Sequence, residues 1–175
     1  WMPDAARLSY VYPIPKAGAG GATLEGARQI CMVEVLVKLM SAGITRLVEH
    51  EWESRLYLHP SQHGFRHGRN AASTAAAVAA VMGIYRRRGK SLYLIAADIE
   101  KAFQAVPHAA LERALRRLGI PAKVASFWME TDRAAGGAVA RCRMITDYGL
   151  TDDFAVEGGA RMGESGSPLK FLAWM

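Results

Sequence analysis

Residues 91–103, SLYLIAADIEKAF, hold the most informative pattern in this sequence. The run from Ser91 to Ala97 is short and almost continuously apolar, and a charged turn, Arg86 to Lys90, precedes it. A run of this length that follows a turn signal predicts a buried β-strand. Asp98 comes next, so we expect its carboxylate to face solvent from the rigid end of that strand.

A carboxylate in this position suits a hard divalent cation. Such a cation binds fixed oxygen ligands and keeps room for phosphate and water. Asp residues are also common in turns that follow strands, where they cap the connection and bind no metal. From its local sequence alone, Asp98 is open to both interpretations.

Helical and extended patterns are mixed along the rest of the chain. Tyr10 to Lys16 alternates and contains two prolines, which predicts an edge strand or an extended segment. Apolar spacing predicts a helix from Ala27 that Gly43 interrupts. Further helices are predicted around residues 74–85, 107–118 and 124–131, and a hairpin is predicted for Val139 to Ile145 with residues 154–156. The fold class is therefore α+β or α/β.

Composition excludes several classes of protein. The 22 Lys and Arg against 16 Asp and Glu give a net charge of +6, which modestly favours a polyanionic partner. Cys31 and Cys142 are too few for a disulfide scaffold, and no Cys/His cluster has zinc-site spacing. No segment reaches the roughly 20 apolar residues of a membrane span, and no secretory signal begins the chain. We expect one domain in an intracellular protein that is not secreted.

Five short motifs follow one another at plausible spacing, and their order is more specific than any one of them. They are Ile14-Pro15-Lys16, Arg28-Gln29-Ile30, residues 62–70 (QHGFRHGRN), residues 98–103 (DIEKAF) and residues 159–171 (GARMGESGSPLKF). In this order the sequence resembles the reverse transcriptases of non-LTR retrotransposons and group II introns, from about Pro13 to Phe171.

The resemblance implies an α+β fold of the right-hand polymerase type. Residues 1–175 would form a single reverse transcriptase-like domain. The fingers would comprise about residues 1–90 and 108–157, and part of the palm about residues 91–107 and 158–175. The implied partners are an RNA template, a DNA primer and a dNTP, with Mg²⁺ as cofactor, and a larger protein or ribonucleoprotein assembly remains open.

The resemblance also implies roles for residues around the central motif. Asp98 would bind both catalytic magnesium ions, and the backbone carbonyl of Ile99 would complete the metal shell. Phe103 would resemble the steric gate, an aromatic residue that packs under the incoming sugar and excludes a 2′-hydroxyl. An aromatic side chain that belongs to the core is the alternative for Phe103.

Three cations resemble residues of the fingers that neutralise phosphate groups of the template or the triphosphate, namely Lys16, Arg28 and Arg66. Arginine suits this role because its planar fork can hold two phosphate oxygens. Each of the three is also consistent with a solvated surface cation.

The glycine-rich loop, residues 158–168, resembles the family's loop that lies against the primer and the nucleotide pocket. The family usually has Gln-Gly-Asp where this chain has Met162-Gly163-Glu164. The thioether of Met162 cannot donate the hydrogen bonds with which that Gln contacts the nucleotide. The resemblance still implies that Met162 and Gly163 contact the substrate, without those hydrogen bonds from residue 162. Gln104 also stands where an Asp commonly follows the aromatic residue.

A second carboxylate pair is required by two-metal catalysis, which holds the ions about 3.5–4 Å apart. In reverse transcriptases this pair belongs to a Tyr/Phe-x-Asp-Asp hairpin downstream of the glycine-rich loop, and the sequence is expected to stop before that hairpin and the thumb. Asp152 and Asp153 precede the loop and are predicted to form a hairpin turn.

Three functions are consistent with these residues. The chain is a segment of an RNA-directed DNA polymerase that transfers a nucleotide from a dNTP to a primer 3′-hydroxyl by two metal ions, and we expect no activity from this segment alone. Alternatively, it is a catalytically inactive relative that serves as a nucleic-acid-binding or structural subunit of a larger assembly. A third hypothesis is an unrelated magnesium-dependent phosphotransfer domain.

Overall fold

The computed structural model describes residues 8–16, 26–132 and 140–175. Helices and strands are mixed along these ranges, in agreement with the predicted class. In chain order they are β1 (Leu8–Pro15), β2 (Ala27–Met32), α1 (Val35–Ser54), α2 (Ala71–Arg87), α3 (His108–Arg117), α4 (Ala122–Met129), β3 (Ala140–Thr146), β4 (Gly149–Leu150), β5 (Phe154–Val156) and α5 (Ser167–Trp174). Within this part of the chain, no helix combines the length and the apolar character that crossing a membrane requires.

Strand β1 lies inside the sheet, whose strand order is β2-β1-β3-β4, with β5 paired to β3. It runs antiparallel to β2 and parallel to β3. The prediction of an edge strand at Tyr10 to Lys16 is therefore wrong, although the extended conformation is confirmed.

The two prolines of β1 fit inside the sheet because β3 accompanies only its first half. Residues 8–11 pair with β3, whereas residues 10–15 pair with β2. The amide of Lys16 donates to the carbonyl oxygen of Gly26 at 2.8 Å, on the β2 side. Because N–H directions alternate along a strand, the nitrogen atoms of Pro13 and Pro15 face the other side, where β3 pairing has ended.

The first helix begins later than its apolar spacing predicts. Residues 27–32 form β2, and α1 begins at Val35 after Glu34, whose carboxylate accepts from Leu36 N at 2.6 Å. Pairing with β1 overrides the local helical periodicity before this cap. Helix α1 also continues through Gly43, since one glycine inside a helix costs only about 1 kcal/mol.

Residues 91–97 do not form the predicted buried strand. They have no regular secondary structure, and the side chains of Tyr93 and Ile95 are 89% and 96% exposed. An apolar run becomes a strand only when a neighbour supplies the ladder hydrogen bonds and covers its face, and none of the described strands pairs with it. The prediction was wrong for this reason, and Asp98 follows an exposed segment.

The hydrophobic core lies among the helices, and two fully buried tryptophans pack within it. Trp52 of α1 and Trp128 of α4 are 1% and 0% exposed. The indole N–H of Trp52 donates to the carbonyl oxygen of Leu118 at 3.1 Å, and that of Trp128 donates to Ser41 Oγ at 3.0 Å. These bonds fix α1 against α3 and α4, and α5 contributes Phe171 to the same core.

Candidate functional site

Phe103 is the point at which three of the sequence motifs meet. Its ring meets that of Phe65 edge to face, with centroids 5.8 Å apart, and stacks on Phe171 at 5.1 Å. Phe65 belongs to the loop of residues 62–70, and Phe171 belongs to the helix that follows the glycine-rich loop. Phe103 is half-buried and packs against the core, so the structure contains the contacts expected of a core aromatic residue.

The glycine-rich loop is held on the turn that carries Phe103 by backbone hydrogen bonds. Ala160 N donates to Phe103 O at 2.8 Å, and Gly159 N donates to Val106 O at 2.8 Å. The His108 ring nitrogen Nε2 lies 2.8 Å from the carbonyl oxygen of Gly159. Gly159 has φ +90°, and a Cβ there would lie only 3.0 Å from the Cα of Gln104. Glycine is therefore required for this close approach.

The next part of the loop lies against the outer edge of β2. Cys31 N donates to the carbonyl oxygen of Met162 at 2.6 Å. A Cβ on Gly163 would lie 2.3 Å from the carbonyl oxygen of Cys31, so no larger residue fits without movement. The same β1–β2 pair carries Lys16 and Arg28 at its far end, and both side chains are exposed. Two of the predicted cations thus share one end of the sheet, on the strand pair that the loop contacts.

Arg66 is buried and bound to protein acceptors. Its guanidinium is bidentate to Glu53, with Nε–Oε1 2.7 Å and Nη2–Oε2 2.5 Å. Nη1 donates to the carbonyl oxygens of His59 at 2.8 Å and Gln62 at 3.1 Å. The hydrogen bond to Glu53 raises the pKa of Arg66, and the same bond lowers the pKa of Glu53. Four of its five N–H groups donate to acceptors in the described part of the chain, so in this geometry Arg66 fastens its loop to α1.

Glu53 is a partner that the motif analysis did not identify. It lies thirteen residues before Arg66, on the last turns of α1. The sequence did contain a signal for this pair: an acidic residue near the end of a predicted helix, followed by a loop that contains Arg66.

Asp98 is exposed and forms no hydrogen bond or ion pair with any described residue. Its carboxylate, with the adjacent carbonyl of Ile99, offers oxygen atoms that Mg²⁺ accepts. Within residues 8–16, 26–132 and 140–175, no group of three or more His, Cys, Asp or Glu could hold a metal ion. Asp98 therefore fits as one ligand of a magnesium ion, and these ranges do not supply the rest of a two-ion site.

Asp152 and Asp153 lie between β4 and β5, whereas the turn that reverses β3 is formed by Asp147 and Tyr148, so the prediction of a hairpin turn at Asp152 and Asp153 is wrong. The carboxylate of Asp153 is paired with Arg141 and Arg143 on β3. The strand predicted there is confirmed from Ala140 onward, its β5 partner is confirmed, and Val139 lies outside the described residues. Asp153 is thus a structural residue of the sheet.

A small open cavity of about 70 Å³ lies between the sheet and the glycine-rich loop. Val11 and Cys31 line it from the sheet, and Gln104 and Met162 line it from the other side. Two of the three positions at which the sequence departs from the family pattern therefore face the same space. A change at either one alters the polarity of one wall of this cavity.

Comparison with known proteins gives two matches. A family model described as reverse transcriptase (RNA-dependent DNA polymerase) matches residues 14–175. The chain is also 26% identical over 171 residues to the Retrovirus-related Pol polyprotein from type-2 retrotransposable element R2DM of Drosophila melanogaster. This alignment covers 97% of the chain and 15% of that relative.

Proposed function

Because the chain belongs to the reverse transcriptase family, we propose that it forms the nucleotide-facing part of an RNA-directed DNA polymerase site. In the reaction, the 3′-hydroxyl of a DNA primer attacks the innermost phosphate of a dNTP and displaces pyrophosphate. Little covalent chemistry falls to the protein, which positions the reactants and stabilises charge.

The convergence of three motifs at Phe103 carries this proposal. The ring contacts with Phe65 and Phe171, and the bond from Ala160 N to Phe103 O, bring together segments that are far apart in sequence. Asp98 lies five residues before Phe103, exposed and without a partner among the described residues. A carboxylate that stabilises nothing in the fold is available for a ligand.

We assign roles to the site residues on this basis. Asp98 and the carbonyl of Ile99 would hold Mg²⁺, which when bound supplies positive charge to the triphosphate. Phe103 would pack under the sugar. Lys16 and Arg28 would neutralise phosphates from the exposed end of the β1–β2 pair.

The remaining assignments concern the loops and the domain. Met162 and Gly163 would contact the nucleotide and the primer, and Arg66 would act by fastening residues 62–70 to α1. Residues 1–90 and 108–157 would correspond to the fingers, and residues 91–107 and 158–175 to part of the palm.

A second function has specific support. Gln104 and Met162 both line the cavity, and neither provides the side chain usual in the family at its position. A relative that no longer polymerises, and that serves as a nucleic-acid-binding or structural subunit of a larger assembly, would tolerate both substitutions.

Primer extension on an RNA template with dNTPs and Mg²⁺ tests the proposal. We expect no extension by the 175-residue chain, since among its described residues no group of three or more His, Cys, Asp or Glu could hold a metal ion. We expect extension by the complete product of its gene. Asp98→Asn should abolish that activity, and Asp152→Asn, which changes another exposed carboxylate, should retain it.

Each result separates the alternatives. Extension by Asp98→Asn at the wild-type rate would overturn the proposal. Tight binding of an RNA–DNA duplex by the complete product, with no extension under any of these conditions, would favour the subunit function.

A further inference from the structure

Four charged residues of the glycine-rich loop and of the segments that it contacts are buried, and we call them the buried quartet: Arg161, Glu164, Asp132 and Lys170. Their exposed fractions are 5%, 3%, 0% and 0%. The two positive and two negative charges balance formally. None of the four belongs to the site residues assigned above.

Lys170 lies at the centre of the quartet. Its ammonium donates to Asp132 Oδ2 at 2.6 Å, to Thr131 Oγ1 at 2.7 Å and to the carbonyl oxygen of Trp128 at 3.1 Å. The same ammonium lies 3.4 Å from Glu164 Oε2, its second acidic partner, and 5.2 Å from the centroid of the Trp128 ring. An ammonium has three N–H groups, so Lys170 is fully satisfied by α4 and the residues after it.

Arg161 and Glu164 anchor the loop on both sides of Met162 and Gly163. Arg161 N donates to Asp132 Oδ1 at 3.4 Å, and Arg161 Nη1 donates to Ser9 Oγ at 2.5 Å. On the other side, Glu164 Oε2 accepts from Ser167 Oγ at 2.9 Å. Met162 and Gly163, which contact β2, are thus flanked on both sides by buried charged residues.

The quartet contributes geometry more than stability. Buried ion pairs give little net stabilisation because their desolvation offsets their attraction. Arg161 Nε and Glu164 Oε1 are buried without a hydrogen-bond partner in the described part of the chain, which adds a further penalty. Charged hydrogen bonds are short and directional, however, so they define where the loop backbone lies.

We propose that Lys170 is a positioning residue that, through Asp132 and Glu164, holds Met162 and Gly163 against β2 in the conformation that receives primer and nucleotide. The position of the loop is argued from the contacts described above. Its role in receiving primer and nucleotide rests on the proposed function. Lys170 touches no substrate in this proposal. It acts only through the residues on either side of the dipeptide.

The test uses Lys170→Met, which keeps the length of the side chain and removes its charge, in the 175-residue chain. Leu115→Ala is the control, since Leu115 is also fully buried and belongs to the core. Amide exchange at Cys31 N, which donates to Met162 O, reports the loop position. We expect exchange at Cys31 at least ten times faster in Lys170→Met than in Leu115→Ala, compared at equal global stability.

A second variant keeps the proposal testable if Lys170→Met does not fold. Lys170→Met with Asp132→Asn removes both charges of the shortest ion pair within the quartet, and it should recover stability while Cys31 exchange stays fast. Recovery of wild-type exchange together with stability, or equal exchange in Lys170→Met and Leu115→Ala, would overturn the proposal.

Binding of an RNA–DNA primer–template duplex is measured in parallel by fluorescence anisotropy. We expect Lys170→Met to bind at least fivefold more weakly and Leu115→Ala to bind like wild type. Fast Cys31 exchange with unchanged duplex affinity would overturn the link to primer binding. A wild-type chain that binds no duplex would contradict the proposed function, and the exchange result would still decide whether Lys170 positions the loop.

Discussion

Ala160 N donates a hydrogen bond of 2.8 Å to the carbonyl oxygen of Phe103. This bond joins the glycine-rich loop to the turn that follows Asp98, so the two segments form one unit. A change that separates them should therefore lower the stability of the fold and alter the candidate site together. Gly159, immediately before Ala160, is the position where this expectation is most directly testable.

Gly159→Ala should destabilise the protein by about 2–5 kcal/mol. The left-handed backbone costs a non-glycine residue about 1–2 kcal/mol, and a contact too close in a packed region adds a further 1–3 kcal/mol. The new Cβ would lie 3.0 Å from Gln104 Cα and 3.1 Å from Phe103 O, both of them backbone atoms. Urea denaturation followed by circular dichroism measures the change.

Gly43→Ala is the matched control for this substitution. Gly43 lies inside α1, and a Cβ there meets nothing within 4 Å. Alanine should stabilise the helix by about 0.5–1 kcal/mol. If Gly159→Ala proved as stable as wild type, the close docking of the loop on residues 103–106 would be wrong.

Arg66→Ala should lower the free energy of unfolding by about 2 kcal/mol. The substitution leaves Glu53 without its bidentate partner and the carbonyl oxygen of Gln62 without its Arg66 donor, while that of His59 still accepts from Gln62 N. The partial exposure of Glu53 moderates the loss. Arg66→Lys should recover little, because an ammonium cannot reproduce the planar fork. Arg46→Ala, at an exposed position of α1, should stay within about 0.5 kcal/mol of wild type in the same denaturation experiment.

The Arg66–Glu53 pair also predicts a pH dependence. The hydrogen bond from Arg66 lowers the pKa of Glu53 in the folded protein below its value in the unfolded chain, about 4.3. The pair therefore stabilises the fold fully above about pH 4.3, and this stabilisation is lost as the pH falls through the lower pKa of the folded state. The stability difference between wild type and Glu53→Gln should be constant from pH 7 to about pH 5 and shrink below it. A difference that persists unchanged to pH 3 would contradict this account.

The local sequence pattern was sufficient to predict an element whose pairing partner is close to it in sequence. The β3–β5 hairpin was predicted because Arg141 and Arg143 alternate with buried residues, and the structure adds that both arginines pair with Asp153. The strand at residues 91–97 was predicted from a short, almost continuously apolar run, and it is absent. Its formation depends on a partner strand, which the pattern of the run itself cannot reveal.

The other features that the sequence did not predict depend on partners that are far away in the chain. The central position of β1 depends on β3, more than a hundred residues later. The anchoring of Lys170 depends on Asp132, a pairing that no spacing rule predicts. A single lysine between Leu169 and Phe171 in an apolar helix was the one available signal of a buried charge network.

Asp98→Asn should leave stability within about 0.5 kcal/mol of wild type, since the carboxylate is exposed and contacts no described partner. Thermal unfolding of the 175-residue chain measures this effect. Combined with lost extension by the complete gene product, an unchanged melting temperature would identify Asp98 as a residue of function and not of folding. A marked destabilisation would show that Asp98 has a structural partner.

Met162→Gln tests the departure from the family pattern at the cavity. Met162 is half-buried and lines the cavity opposite Cys31, while its carbonyl oxygen accepts from Cys31 N in a bond that does not depend on the side chain. A glutamine amide adds two N–H donors and one acceptor to that wall. One new neutral hydrogen bond contributes about 0.5–1.5 kcal/mol, so dNTP affinity should rise by about 2- to 12-fold.

Met162→Leu is the control for this gain, because it keeps an apolar side chain of similar volume and should leave dNTP affinity unchanged. Fluorescence titration of both variants with a labelled dNTP, in the presence of primer–template duplex, makes the comparison. An equal response of the two variants would mean that the side chain of residue 162 does not contact the nucleotide. The subunit function would then be favoured, because the cavity wall would no longer be linked to nucleotide selection.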